Sequence, residues 1–256
     1  MTALDSLFSA PASEERKLWG FLVFCKVVER GPGRLIPDLF SRNFMRCLMN
    51  QLSDSRRYLH RAAQKSLRAI HSRVEADPEI AYYAITGLLS GNGTPNFDHI
   101  TKTKTIEKLL TQANNGALVR ILQHYEDCIQ HTSTDDLKTA ESRRQLLADQ
   151  LVAALRSGKS HKSDEWTMSL LSMFARFGYF TVESGPSPPL SEASQNIFRT
   201  RLSSCLAHLI SSKYQNDDSW PFRALSAIRG YEQQHMAFVI EFDDTVQVAK
   251  DSALKR

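Results

Sequence analysis

The chain has 256 residues, 42% apolar and 23% charged, with 32 Lys and Arg against 28 Asp and Glu and a formal net charge of +4. This is a globular composition, which excludes a disordered chain, and the length suffices for one large core or several small ones in series. The longest apolar run near the start, residues 21–25, is cut by Lys26, and nothing approaches the roughly 18 apolar residues that a membrane span needs.

Residues 1–12 lack a charged stretch followed by an apolar core, so they are not read as a secretory signal; they are expected to be disordered. Beyond them almost every segment has helical periodicity, and strand-like alternation is nearly absent. A first helix is predicted over about residues 13–30, with Ser13 as N-cap and Glu14 and Glu15 in the first turn. Leu18, Trp19, Phe21, Leu22 and Phe24 crowd together on it, and they are expected to form an apolar end face that self-associates. Gly31-Pro32-Gly33 breaks the helix. Ser41 is expected to cap the next one, which carries Phe44, Leu48 and Leu52 on one stripe.

A further helix is predicted directly after Ser53. Leu59, Ala63, Leu67, Ile70 and Val74 line one face, while Arg57, Arg61, Lys65 and Arg68 line nearly the opposite one. Asp77-Pro78 ends it. More helices follow at about 78–90, 102–114, 116–131, 135–156, 164–178, 191–212 and 221–248, joined by turn-forming residues at 91–95, 157–160 and 184–189. The pattern predicts an all-α protein, an α-solenoid of HEAT/armadillo-like repeats. Its parts would be a helical segment over 13–183, a Pro-rich connection over 184–190 and a continuation over 191–250.

Charge is concentrated in residues 41–73, which hold eight Lys and Arg against the single acid Asp54. That is +7 in a chain of +4, so the remainder is acidic by 3. Arg57, Arg61, Lys65 and Arg68 at helical spacing would make one cationic ridge able to follow a phosphate backbone and displace its counterions. Arg56, at the edge of that face, could add a bidentate phosphate contact. The competing expectation is a solvated helix face, its cations paired with acids of a neighbouring helix.

Other motifs carry little chemistry. His124, Cys128 and His131 share a helix face, but the helix rise separates the first and last by about 10 Å, too far for one ion, so no metal is expected. Gly158-Lys159-Ser160 resembles the end of a phosphate-binding loop, but Ala153 stands where the required first glycine would be. Gly91 and Gly93 lack a third glycine, and no nucleophile elbow or zinc-protease motif occurs. Asp243-Asp244 is an isolated acidic pair, whereas a two-metal site needs further carboxylates. No catalytic residue, cofactor or small-molecule substrate is therefore expected. Cys25, Cys47, Cys128 and Cys205 lie far apart with no CxxC, which reads as buried thiols in a reducing compartment, cytosol or nucleus.

Four blocks together resemble one family: residues 39–67 (LFSRNFMRCLMNQLSDSRRYLHRAAQKSL), 96–110 (NFDHITKTKTIEKLL), 169–180 (SLLSMFARFGYF) and 188–206 (PPLSEASQNIFRTRLSSCL). Their order and spacing are similar to those of the DNA polymerase V, or DNA polymerase phi, family, which includes the animal Myb-binding protein. The likeness spans roughly residues 16–245. It implies a piece of a large nucleolar helical-repeat protein, internal or truncated, that acts as a non-catalytic scaffold in rDNA transcription, rRNA processing and ribosome biogenesis. Implied partners are rDNA or pre-rRNA and ribosome-assembly or transcription proteins, with no membrane. The family name also implies a DNA polymerase, but neither the β-sheet palm nor its aspartate motif is visible in the sequence. A helical adaptor that binds proteins alone is a third reading.

Overall fold

A computed structural model describes residues 3–132, 136–157, 162–181, 188–211 and 219–234 of the chain. These residues form helices, turns and connecting segments, with no β-strand among them. They divide into two compact units, Met1–His124 and Tyr125–Arg256.

The first unit contains α1 (Ala3–Leu7), α2 (Glu14–Arg30), two short 3-10 turns (Gly33–Leu35 and Pro37–Leu39), α3 (Arg42–Ser53), α4 (His60–Ala76), α5 (Ile80–Leu89), α6 (Phe97–Thr101) and α7 (Thr105–Gln112). It also holds the start of α8 (Asn115–Gln130), inside which the unit boundary falls. Ser13 caps α2 as expected, its hydroxyl accepting from the Arg16 N–H at 3.3 Å. The inner stripes of α2 and α3 meet in a phenylalanine cluster. Phe24 stacks on Phe44 at 4.3 Å, and Phe8, Phe21 and Phe40 meet Phe44 edge-on at 5.1–6.0 Å. Each such pair adds about 0.5–1.5 kcal/mol to the burial of the rings.

Within the segment expected to be disordered, Ala3–Leu7 form α1 and Phe8 is buried in the cluster. The ring of Phe8 lies against α2 at Gly20, where an added Cβ would sit 2.6 Å from it. Asp5 accepts the backbone N–H and the side-chain amide of Asn43, both at 3.0 Å, and so supplies the anion at the start of α3. Burial raises the pKa of Asp5, but hydrogen bonds from Ser41 and Asn43 outweigh it and leave it below the ordinary carboxylate value. Ser41 stands at the N-cap position of α3 but makes no side-chain capping bond.

The helix expected directly after Ser53 begins only at His60. Asp54 accepts the Arg56 N–H through its carboxylate at 3.0 Å and the Arg57 N–H through its carbonyl at 3.2 Å. Gln51 accepts the Leu59 N–H at 3.1 Å. These local bonds offer the backbone an alternative to the helix. The helix expected over 102–114 begins only at Thr105, and a short unexpected helix, α6, precedes it. Lys102 takes the left-handed conformation (φ 55°, ψ 39°), and Thr103 N–H returns to the Asp98 carbonyl at 3.0 Å, closing α6. The Asp98 carboxylate then accepts the N–H groups of Thr105 (2.7 Å), Ile106 (2.9 Å) and Glu107 (3.3 Å), opening α7. One residue thus terminates one helix and starts the next.

The second unit contains the end of α8, α9 (Leu137–Arg156), α10 (Asp164–Tyr179), α11 (Glu192–Ser211) and α12 (Trp220–Gln233). Asp136, Ser163 and Ser191 cap α9, α10 and α11. Here α10 packs on α11 and α12, and α11 packs on α9. Trp166, Phe174, Phe177, Phe198, Cys205 and Trp220 are buried between them. Arg144 of α9 is also fully buried. Its guanidinium donates to the carbonyls of Ile129 and Pro189, each at 3.1 Å, and to the Pro188 carbonyl and the Ser194 hydroxyl. It thereby holds the described end of the Pro-rich connection against α9 and α11. Residues 184–187 of that connection, Gly158-Lys159-Ser160, Asp243-Asp244 and the part of the last helix expected beyond 234 lie outside the described residues.

Candidate nucleic-acid interface

Helix α4 buries Ala63, Ser66, Leu67, Ile70 and Val74 and exposes Arg61, Lys65 and Arg68. Burial of the apolar stripe against α2 fixes the rotation of the helix, and the basic stripe follows on the outside. Successive cations are spaced about 6 Å and then about 4–5 Å along the axis. Arg56 and Arg57, expected on the same helix, sit instead on the turn before it, both exposed. The Arg56 guanidinium forks onto both oxygens of Asp54 at 3.2 and 3.1 Å. Hydrogen bonds from the Arg56 side chain and backbone bring Asp54 down to about 2. Arg56 is therefore partly neutralised. Arg57, Arg61, Lys65 and Arg68 have no ion pair among the described residues. Lys65 shares a cleft with Glu29 of the neighbouring helix α2 and helps lower its pKa, after the larger effect of Lys26.

A cleft flanks the ridge on each side. One, of about 510 Å³, lies between α4 and the turn at Lys102 and is lined by Ser53, Asp54, Ser55, Arg56, His60, Gln64 and residues 101–103. The His60 Nδ1–H donates to the Gln51 carbonyl at 2.9 Å. The other, of about 390 Å³, lies towards α2 and is lined by Glu29, Lys65, Arg68, Ser72 and Arg73. The Arg73 Nε is buried there without a hydrogen-bond partner among the described residues. His60 and Lys102 line the first cleft without belonging to the cationic pattern of residues 41–73. The alternating Thr and Lys of residues 101–105 were the one signal for Lys102, and only the fold brings that turn beside α4.

The remaining candidates are structural. The His124 Nε2 hydrogen-bonds with the Ser90 hydroxyl at 2.9 Å, and no group of three His, Cys, Asp or Glu is placed to hold a metal ion among the described residues. Burial pushes the thiol pKa of Cys47 and of Cys128 up to about 11 and that of Cys205 up to about 12, which suppresses the reactive thiolate. No helix among the described residues is long and apolar enough to cross a membrane.

The described residues are helices and turns that present a cationic face along α4. The chain belongs to the DNA polymerase phi family, whose match covers residues 2–256. It is 34% identical to the rDNA transcriptional regulator pol5 of Schizosaccharomyces pombe over 94% of the chain and 27% of that protein. It is 28% identical to the rDNA transcriptional regulator POL5 of Saccharomyces cerevisiae over 99% of the chain and 25% of that protein. The chain thus spans about a quarter of the length of these relatives. No solved structure matches it.

Proposed function

We propose that this chain is the helical, non-catalytic part of a nuclear regulator of rDNA transcription, acting in the nucleolus and holding rDNA or pre-rRNA on the outer face of α4. In this reading its helices form a HEAT/armadillo-like solenoid that serves rRNA processing and ribosome assembly as a scaffold. The observation that carries it is the row Arg61, Lys65 and Arg68, exposed, without ion pairs among the described residues and flanked by two clefts holding further cations. A solvated face on an ordinary helix gains from i,i+4 acid partners, and α4 has none opposite these residues. The names of the yeast relatives supply the rDNA context.

Fluorescence anisotropy with an rDNA duplex and a pre-rRNA fragment, across a salt series, tests it. The variant carrying Arg61→Glu, Lys65→Glu and Arg68→Glu should bind at least about a hundredfold more weakly. Its log affinity against log salt should be shallower by about 3 on duplex DNA. Unchanged affinity in a variant with an unchanged circular dichroism spectrum rejects the interface. Primer extension by the folded chain would replace the scaffold reading with the polymerase one.

A further inference from the structure

Tyr58 is 77% exposed, the most exposed of the large apolar side chains among the described residues. The turn that carries it is held on both sides. Asp54 accepts the N–H groups of Arg56 and Arg57, Gln51 accepts that of Leu59, and the His60 N–H returns to the Arg57 carbonyl at 3.0 Å. The Leu59 side chain is buried, so the backbone is anchored next to a ring left in solvent. Among the described residues Tyr58 makes no ring contact, cation contact or hydrogen bond. Tyr82 and Tyr83, by contrast, pack together beneath Arg120, and Tyr125 donates to Gln150 at 2.8 Å. Arg57 precedes Tyr58 and Arg61 follows one helical turn on, both exposed. The single acid of residues 41–73, Asp54, is already engaged by Arg56.

We propose that Tyr58 is a stacking platform for an unpaired base, so that this face takes a single strand in preference to a duplex. The inference rests on the nucleic-acid reading of the α4 ridge and names the class of strand it holds. Cations alone do not discriminate, because phosphates line single strands and duplexes alike. Inside a duplex both faces of each base are covered by its neighbours, and an exposed ring finds none to lie on. An unstacked base in a single strand can lie flat on an aromatic ring. Arg57 and Arg61 are then placed to meet the phosphates on either side of that base. Every base has a π face, so the platform is indifferent to base identity and serves RNA and DNA strands alike. It carries no charge and releases no counterion, so it adds affinity without adding to the salt dependence.

Fluorescence anisotropy on the whole chain, with RNA and DNA single strands of about 12 nucleotides and the DNA duplex of the same sequence, tests this. At equal salt the single strands should bind more tightly than the duplex. Tyr58→Ala should weaken single-strand binding about tenfold and duplex binding by no more than about twofold, with the slope of log affinity against log salt unchanged. Tyr58→Phe should keep the affinity, since stacking uses the ring and not the hydroxyl, and Tyr58→Trp should match or exceed it. Loss confined to RNA or to DNA names the strand, and equal loss leaves the shared base as the whole contact. Equal affinity for single strand and duplex, a Tyr58→Ala variant that binds as the parent does, an equal loss on the duplex, or a Tyr58→Trp variant as weak as Tyr58→Ala would overturn the platform. Binding that falls with the three ridge exchanges but not with Tyr58→Ala keeps the ridge and rejects the platform, and a chain that binds neither strand nor duplex rejects both.

Discussion

Residues 1–124 and 125–256 use their basic side chains differently. The first stretch has 17 Lys and Arg against 11 Asp and Glu, the second 15 against 17. In the first, Lys17, Lys26, Arg56, Lys104 and Arg120 meet acids at 2.8–3.7 Å, while Arg57, Arg61, Lys65 and Arg68 stand exposed with no ion pair among the described residues. In the second, cations are drawn into internal bonds: Arg144 to buried carbonyls, Arg176 to Glu126, Arg201 to Asp149 at 2.5 Å, Arg156 to the Ser204 hydroxyl and Arg199 to the Gly178 carbonyl. The difference separates cations that hold the fold from cations available to a partner. Net charge alone would not have separated them.

Substitutions can break or sharpen that contrast. Arg144→Ala should have the largest effect, about 3–5 kcal/mol of stability lost in urea denaturation, because the carbonyls of Ile129, Pro188 and Pro189 would be left buried without a donor. Lys162, buried with its Nζ unpartnered among the described residues, works the other way. Burial holds its pKa below the ordinary lysine value, and Lys162→Met should raise stability by about 1–2 kcal/mol in the same measurement. A smaller effect is expected of pH. Burial lowers the pKa of His71 below 6.5, against a hydrogen bond with Gln112 and the charges of Glu75 and Asp98, with Lys108 adding to the lowering. Between the depressed value and 6.5 the unfolded chain binds the proton and the folded one does not, so the melting temperature should fall as pH drops through that window. His71→Gln should flatten the slope. The smallest effect belongs to the ridge. Arg61→Ala, Lys65→Ala or Arg68→Ala should change stability by no more than about 0.5 kcal/mol, and a larger loss would make the ridge part of the fold.

The sequence made the long helices and the basic stripe of α4 legible because burying one face imposes a period of 3.6 on the residue pattern. It did not disclose α1, whose five residues are held by Phe8 and Asp5 against distant helices rather than by local preference. The late starts of α4 and α7 are hidden for a related reason: the Asp54 carboxylate captures the Arg56 N–H on the turn before α4, and the Asp98 carboxylate caps α7 from seven residues upstream of Thr105, neither of which periodicity records. Arg144 looks like any surface arginine until the fold closes over it. His60 and Lys102 reach one cleft only because α3, α4 and the turn after α6 converge.

Gly20 ties two distant parts of the first unit to a single hydrogen atom. In an exposed helix, exchanging glycine for alanine gains about 1 kcal/mol. Here the new methyl group would meet the Phe8 ring 2.6 Å away, and the ring cannot retreat without carrying α1 with it. Asp5 would then withdraw from Asn43, and α3 would lose the anion at its first turn. An exchange that favours its own helix would therefore fray a different one, and hydrogen exchange at residues 42–44 should register the damage before any probe placed on α2.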